Sequence, residues 1–87
     1  MLRLTKKLIK DVNSEFALGD IDSISFGLYN HKGCVSIGYT INPGENIKIG
    51  VLAVQGRKRA YNKFLDAIHE AWTYFSSRGI NTNIRNS

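Results

Sequence analysis

The sequence predicts an α+β domain of helix-strand-strand-strand-helix order, a three-stranded antiparallel meander with both helices packed on one face. Three patterns carry this expectation: an apolar stripe at helical spacing near the N-terminus, two-residue alternation through the middle, and a longer helical stripe near the C-terminus. Stripes of this kind bury together only when helices are layered on a sheet.

The first helix is read from Leu4, Leu8, Val12 and Phe16, with Ile9 alongside, which recur at i, i+4 spacing. Thr5 is positioned to cap its start and Gly19 to stop it. Arg3, Lys6, Lys7 and Lys10 fall opposite the stripe with no acid among them, so the helix offers a cationic outer face. A one-sign face of this kind also serves simply as a solvated surface.

Strand periodicity follows. Ile24, Phe26 and Leu28 alternate with Ser25, Gly27 and Tyr29, and Val35, Ile37, Tyr39 and Ile41 alternate with Ser36, Gly38 and Thr40. Asn30-His31-Lys32-Gly33 is the expected turn, pairing Tyr29 with Cys34, Leu28 with Val35, Phe26 with Ile37 and Ile24 with Tyr39. Asn42-Pro43-Gly44-Glu45 has the residue order of a type II turn. Parity then calls for an odd loop with a bulge, so that Ile41 pairs with Ile47 and Tyr39 with Ile49, and Ile47, Ile49, Val51 and Ala53 alternate with Lys48, Gly50 and Leu52.

The longest helix is expected over Arg57 to Ser77, with Tyr61, Phe64, Leu65, Ile68, Ala71, Trp72 and Phe75 on one stripe and Gly79 as its stop. Residues 1–79 are read as a single domain and the Asn-rich residues 80–87 as a frayed tail. The length of 87 residues supports one modest core. One cysteine, Cys34, excludes an internal disulfide framework and a multi-thiolate zinc site. The basic N-terminus never gives way to a sustained apolar run, so a cytoplasmic, non-membrane protein is expected.

Twelve Lys/Arg against seven Asp/Glu give a formal net charge of +5, which favours anionic partners. Arg57-Lys58-Arg59 falls in the expected first turn of the long helix, where free amides and the macrodipole already favour anions. With Lys63 one turn on, this is a candidate phosphate site; a basic patch that only confers solubility is the alternative. Lys6, Lys7, Lys10, His31 and Lys32 are candidate auxiliary contacts. The outward strand positions Ser25, Gly27, Ser36, Gly38, Thr40 and Gly50 are nearly bare, open to a second copy of the sheet or to a nucleic-acid strand, or else marking bulges and twist.

Nothing points to catalysis. There is no Walker loop, no Gly-x-Gly-x-x-Gly after a strand and no His-Glu-x-x-His, and His31 near Cys34 has no third orienting group. No catalytic residue, metal ligand or cofactor is expected.

The element order resembles the double-stranded-RNA-binding domain. That family opens its last helix with a Lys-Lys-x-Ala-Lys-like motif, which Arg57, Lys58 and Ala60 match while Tyr61 departs from the final lysine. His31 is similar to the family's loop histidine, though the preceding Gly-Pro is absent. The resemblance implies phosphate contacts from the last helix and a minor-groove probe in the first hairpin. Lys63-Phe64-Leu65-Asp66-Ala67-Ile68 through Trp72 also resembles the helix after the meander in small prophage-encoded inhibitors of Cas nucleases. The acidic DNA mimicry known there does not transfer to a basic chain; a phage anti-defence role would.

The sequence expectation is therefore a small, non-enzymatic, basic binding module that contacts a nucleic-acid phosphate backbone, or a nucleic-acid-bound protein complex. The alternative is an anti-CRISPR-like inhibitor acting by protein-protein binding. Homodimerisation through the sheet face is a lesser expectation.

Overall fold

The computed structural model describes residues 1–16, 18–31, 34–42 and 48–85. The chain runs α1 (Arg3–Glu15), β1 (Ser23–His31), β2 (Cys34–Ile41), β3 (Lys48–Arg57), α2 (Tyr61–Ser76) and β4 (Asn81–Arg85), with short 3₁₀ turns at Leu18–Asp20 and Lys58–Ala60. The α+β class holds, but the sheet is four-stranded and mixed, in the order β3-β2-β1-β4.

The fourth strand corrects the expectation of a frayed tail. Gly79 is the stop signal that the sequence promised, at φ 81°. The Gly79 N–H donates to Ser76 O and the Ile80 N–H to Phe75 O, each within 3.2 Å, the paired bonds of a Schellman turn. Ile80 is buried beyond it. The chain therefore leaves α2 anchored, and residues 81–85 run parallel to β1, with Ile24 opposite Thr82 and Phe26 opposite Ile84. Trp72 Nε1 donates to Thr82 O at 3.0 Å, so α2 holds the new strand from above. That contact explains why Trp72, expected in the core stripe, stays 41% exposed. Tyr61 is likewise an exposed member of the expected stripe, whereas Ala67 is buried.

β1 and β2 form the expected hairpin in a different register. Ile24 pairs with Ile41, Phe26 with Tyr39, Leu28 with Ile37, Asn30 with Val35 and His31 with Cys34. Each partner lies two residues from the expected one, and an even slip leaves every side chain on its own face. Asn30 and His31 thus belong to the strand and not to the turn; Lys32 and Gly33 lie outside the described residues.

The third strand departs more. Ile41 pairs with Lys48, Tyr39 with Gly50 and Ile37 with Leu52, while Ile49 sits opposite Thr40 and Val51 opposite Gly38. The expected pairs of Ile41 with Ile47 and Tyr39 with Ile49 are replaced, and the irregularity lies between Val35 and Ile37, at the far end from the loop. Val51-Leu52-Ala53-Val54 is an unbroken apolar run, so alternation carried no information about its parity. The Pro43-Gly44-Glu45 turn lies outside the described residues.

Asn42 explains how β2 ends. It adopts φ 49°, a left-handed conformation that Asn tolerates better than most residues. Its Oδ1 accepts from the Asp22 N–H at 2.7 Å and the Ser23 N–H at 3.2 Å, and its Nδ2 donates to Asp20 O at 2.9 Å. One amide thereby fastens the entry of β1 to the exit of β2.

The buried stripes of both helices join one core cluster with alternate residues of β1 and β2. Phe26 and Phe75 are both fully buried, with ring centroids 6.1 Å apart and planes tilted by 32°. Each large side chain buried in this way stabilises the fold by about 1.5–3 kcal/mol. Tyr39 reaches the core from β2 and its hydroxyl donates to the Asp11 carboxylate on α1. Burial first, and then Asp11, hold the Tyr39 phenol well above its ordinary pKa.

The helices are joined by a second polar contact. α1 begins after Leu2 with no side-chain cap of its own. Thr5, expected to cap α1, lies inside it and is fully buried. Its hydroxyl donates to Glu70 Oε1 at 2.8 Å, and the same oxygen accepts the Leu2 N–H at 3.1 Å. Glu70 of α2 therefore supplies the carboxylate that the first turn of α1 lacks. The Thr5 hydroxyl foremost, then the Leu2 amide, pull the Glu70 pKa below its usual value. At the other end α1 stops at Glu15 with Phe16 extended (φ −141°, ψ 138°), so Gly19 is not its terminator but part of the following 3₁₀ turn.

Two predictions follow from these contacts. Asn42→Ala removes three hydrogen bonds and, with them, the side-chain amide that makes the left-handed conformation tolerable, and is expected to lower stability by about 2–3 kcal/mol, read as a lower urea midpoint at unchanged slope; Asn42→Gly is free to adopt that conformation and loses less. Because the folded pKa of Glu70 is depressed, its contribution is complete above the usual glutamate value of 4.5 and is lost as pH falls through the lower folded value. The thermal midpoint of the protein should therefore drop more steeply below about pH 4.5 than that of Glu70→Gln; parallel curves would show that the carboxylate does not cap α1.

Candidate anion-binding groove

Where the N-terminal half of α1 faces the N-terminal half of α2, the surface forms a groove of ≈ 650 Å³ lined by Leu2, Arg3, Leu4, Lys7, Lys63, Phe64 and Asp66. The local sequence accounts for each contributor. Arg3 and Lys7 are one turn apart on α1, on the flank of its apolar stripe. Lys63 and Asp66 are similarly spaced on α2, and Phe64 between them turns inward and is buried. The floor is apolar, made by Leu2, Leu4 and Phe64. Among the described residues, three cations and one carboxylate form its polar lining.

The groove exists because Thr5 and Glu70 tie the two helices together beside it. Neither the pairing of Arg3 and Lys7 with Lys63 nor the depth of the apolar floor is visible in either helix alone. The one local signal is Thr5, a polar residue within an apolar stripe, which marks contact with another polar group.

The sequence candidates distribute around this geometry unevenly. Lys7 and Lys63 line the groove. Lys6 and Lys10 are exposed on α1 outside its lining, and Arg59 is exposed just before α2. Arg57 is the last residue of β3, and Lys58 and Arg59 lie in the 3₁₀ turn, so the basic triplet precedes α2 and does not form its first turn as expected. α2 instead begins at Tyr61, after Ala60, without a side-chain cap or an acidic residue in its first turn. The residues that match the family motif thus precede the helix, and β4 is an element beyond the helix-strand-strand-strand-helix order. His31 ends β1 opposite Cys34, which is exposed. Lys32 lies outside the described residues. Arg3, absent from the candidate contacts although noted on the cationic face, is the residue that sequence reasoning missed.

The outer sheet face is not bare throughout. The ring edge of Tyr29, itself half-exposed, occupies the space that a β-carbon at Gly38 would need. Glycine there lets an aromatic ring lie across the strands, and a β-carbon would displace that ring, which accounts for the position without a partner. Ser25 is buried on the same strand as Tyr29.

Among the described residues, no three His, Cys, Asp or Glu side chains are grouped to hold a metal ion, and no helix is long and apolar enough to cross a membrane. The chain matches no protein-family model, no curated protein and no solved structure.

Proposed function

We propose that this protein is a non-catalytic binding module that contacts the phosphate backbone of a nucleic acid. The observation that supports the reading is the grouping of Arg3 and Lys7 from α1 with Lys63 from α2 around one groove. Exposed Arg59, Lys6 and Lys10 add positive charge beyond it, and the chain's formal charge of +5 acts in the same direction.

The physical argument concerns spacing and neutralisation. The backbone positions that carry these three cations are held relative to one another by the contact between the helices, so gathering them on a phosphate backbone costs less ordering than it would from a flexible segment. Among the described residues, Asp66 is the only carboxylate in the lining, against three cations, which leaves the lining net positive. Each neutralised phosphate releases condensed counterions, so affinity falls steeply with salt.

Fluorescence anisotropy against a labelled oligonucleotide across a salt series tests the reading. Replacing Arg3, Lys7 and Lys63 together by Ala is expected to make the slope of log affinity against log salt shallower by about two to three units. An unchanged slope would remove the groove from the interface. A stoichiometric complex with a protein partner that survives nuclease digestion, with no salt-dependent nucleic-acid binding, would instead support the inhibitor reading.

A further inference from the structure

A phosphate backbone alone has no use for an apolar floor. The groove is nevertheless lined by Leu2, Leu4 and Phe64; Phe64 and Leu4 pack into the core, while Leu2 is left 44% exposed at a helix start. A purely electrostatic site would gain nothing from the exposed Leu2 side chain, because such apolar surface becomes favourable only when something apolar covers it. The lining also includes Asp66, which opposes any ligand that is anionic throughout.

A nucleotide matches all three features at once. Its base has apolar faces for the floor, its phosphate is an anion for Arg3, Lys7 and Lys63, and its exocyclic amino group is a hydrogen-bond donor for the Asp66 carboxylate. A fatty acid or other amphipathic anion would satisfy the floor and the cations but leave Asp66 facing negative charge. The volume of ≈ 650 Å³ lies in the range of small-ligand sites and is ample for one base with its sugar and phosphate. Bases stacked inside a duplex cannot reach such a floor, whereas unstacked bases of a single strand can.

We infer that the groove between α1 and α2 takes an unstacked base of a single-stranded nucleic acid, with its flanking phosphates on Arg3, Lys7 and Lys63. This rests on the phosphate-binding reading above and names the form of nucleic acid that the site takes.

The test uses the full chain with a labelled single-stranded 12-mer, the matched duplex, and a 12-mer of abasic backbone, together with a free mononucleotide as competitor. The single strand should bind on the order of tenfold more tightly than either the duplex or the abasic chain. Leu2→Ser keeps a residue suited to a helix N-cap and so preserves α1 while removing apolar floor; it should weaken the single strand several-fold and leave the abasic chain unchanged. Asp66→Asn should alter the preference among the four bases. Equal binding of all three oligonucleotides would overturn the inference while the phosphate reading stands. Binding of none would overturn both. A mononucleotide that competes as well as the strand itself would assign the groove to a free nucleotide and overturn the single-strand assignment.

Discussion

The contact of Glu70 with Thr5 and the Leu2 amide is the constraint on which the candidate site depends. It fixes the start of α1 against the middle of α2, and the groove lies beside it. A hydroxyl donating to a carboxylate is a stronger and more directional bond than one between neutral groups. One carboxylate oxygen of α2 also serves two groups of α1, since it satisfies both the buried Thr5 hydroxyl and the uncapped Leu2 amide. Apolar packing of Leu8, Ile9 and Val12 against the core would hold α1 in place, but apolar contact is non-directional and would not by itself fix which cations face Lys63.

A second polar contact acts at the opposite end of α1, where Asp11 accepts from Tyr39. With Asn42 closing the entry of β1 onto the exit of β2, three polar contacts orient what the hydrophobic core merely attracts together. Their residues, Thr5, Asp11, Tyr39, Asn42 and Glu70, are scattered through the sequence, and apart from Thr5 and Tyr39, which fall within apolar stripes, each reads locally as an ordinary surface or turn residue.

The two helical stripes, the strand alternation of β1 and β2 and the glycine stop of α2 were legible because each is a local periodicity or a local backbone requirement. The hairpin register was not: a slip of two residues preserves every face, so hydrophobic pattern cannot distinguish the two pairings. β3 resisted for a different reason, its four successive apolar residues having no parity. β4 was missed because Asn81-Thr82-Asn83-Ile84 has a single large apolar residue. What holds it is long-range, namely pairing with β1, the Schellman turn and the Trp72 bond. Of the candidate site, the cations themselves were visible, but the grouping of Arg3 and Lys7 with Lys63 is a product of helix packing. The triplet Arg57-Lys58-Arg59 read as a helix start because Gln55-Gly56 reads locally as a strand break, whereas β3 runs through both residues to Arg57 and a 3₁₀ turn follows.

The most direct measurement of the central claim is an amide NMR titration of the protein with a single-stranded oligonucleotide. The account predicts that the largest shifts fall together on the N-terminal halves of α1 and α2, at Arg3, Leu4, Lys7, Lys63 and Asp66, with β1 and β2 little changed. Shifts confined to the sheet face around Tyr29 and Thr40, with both helix starts silent, would contradict it.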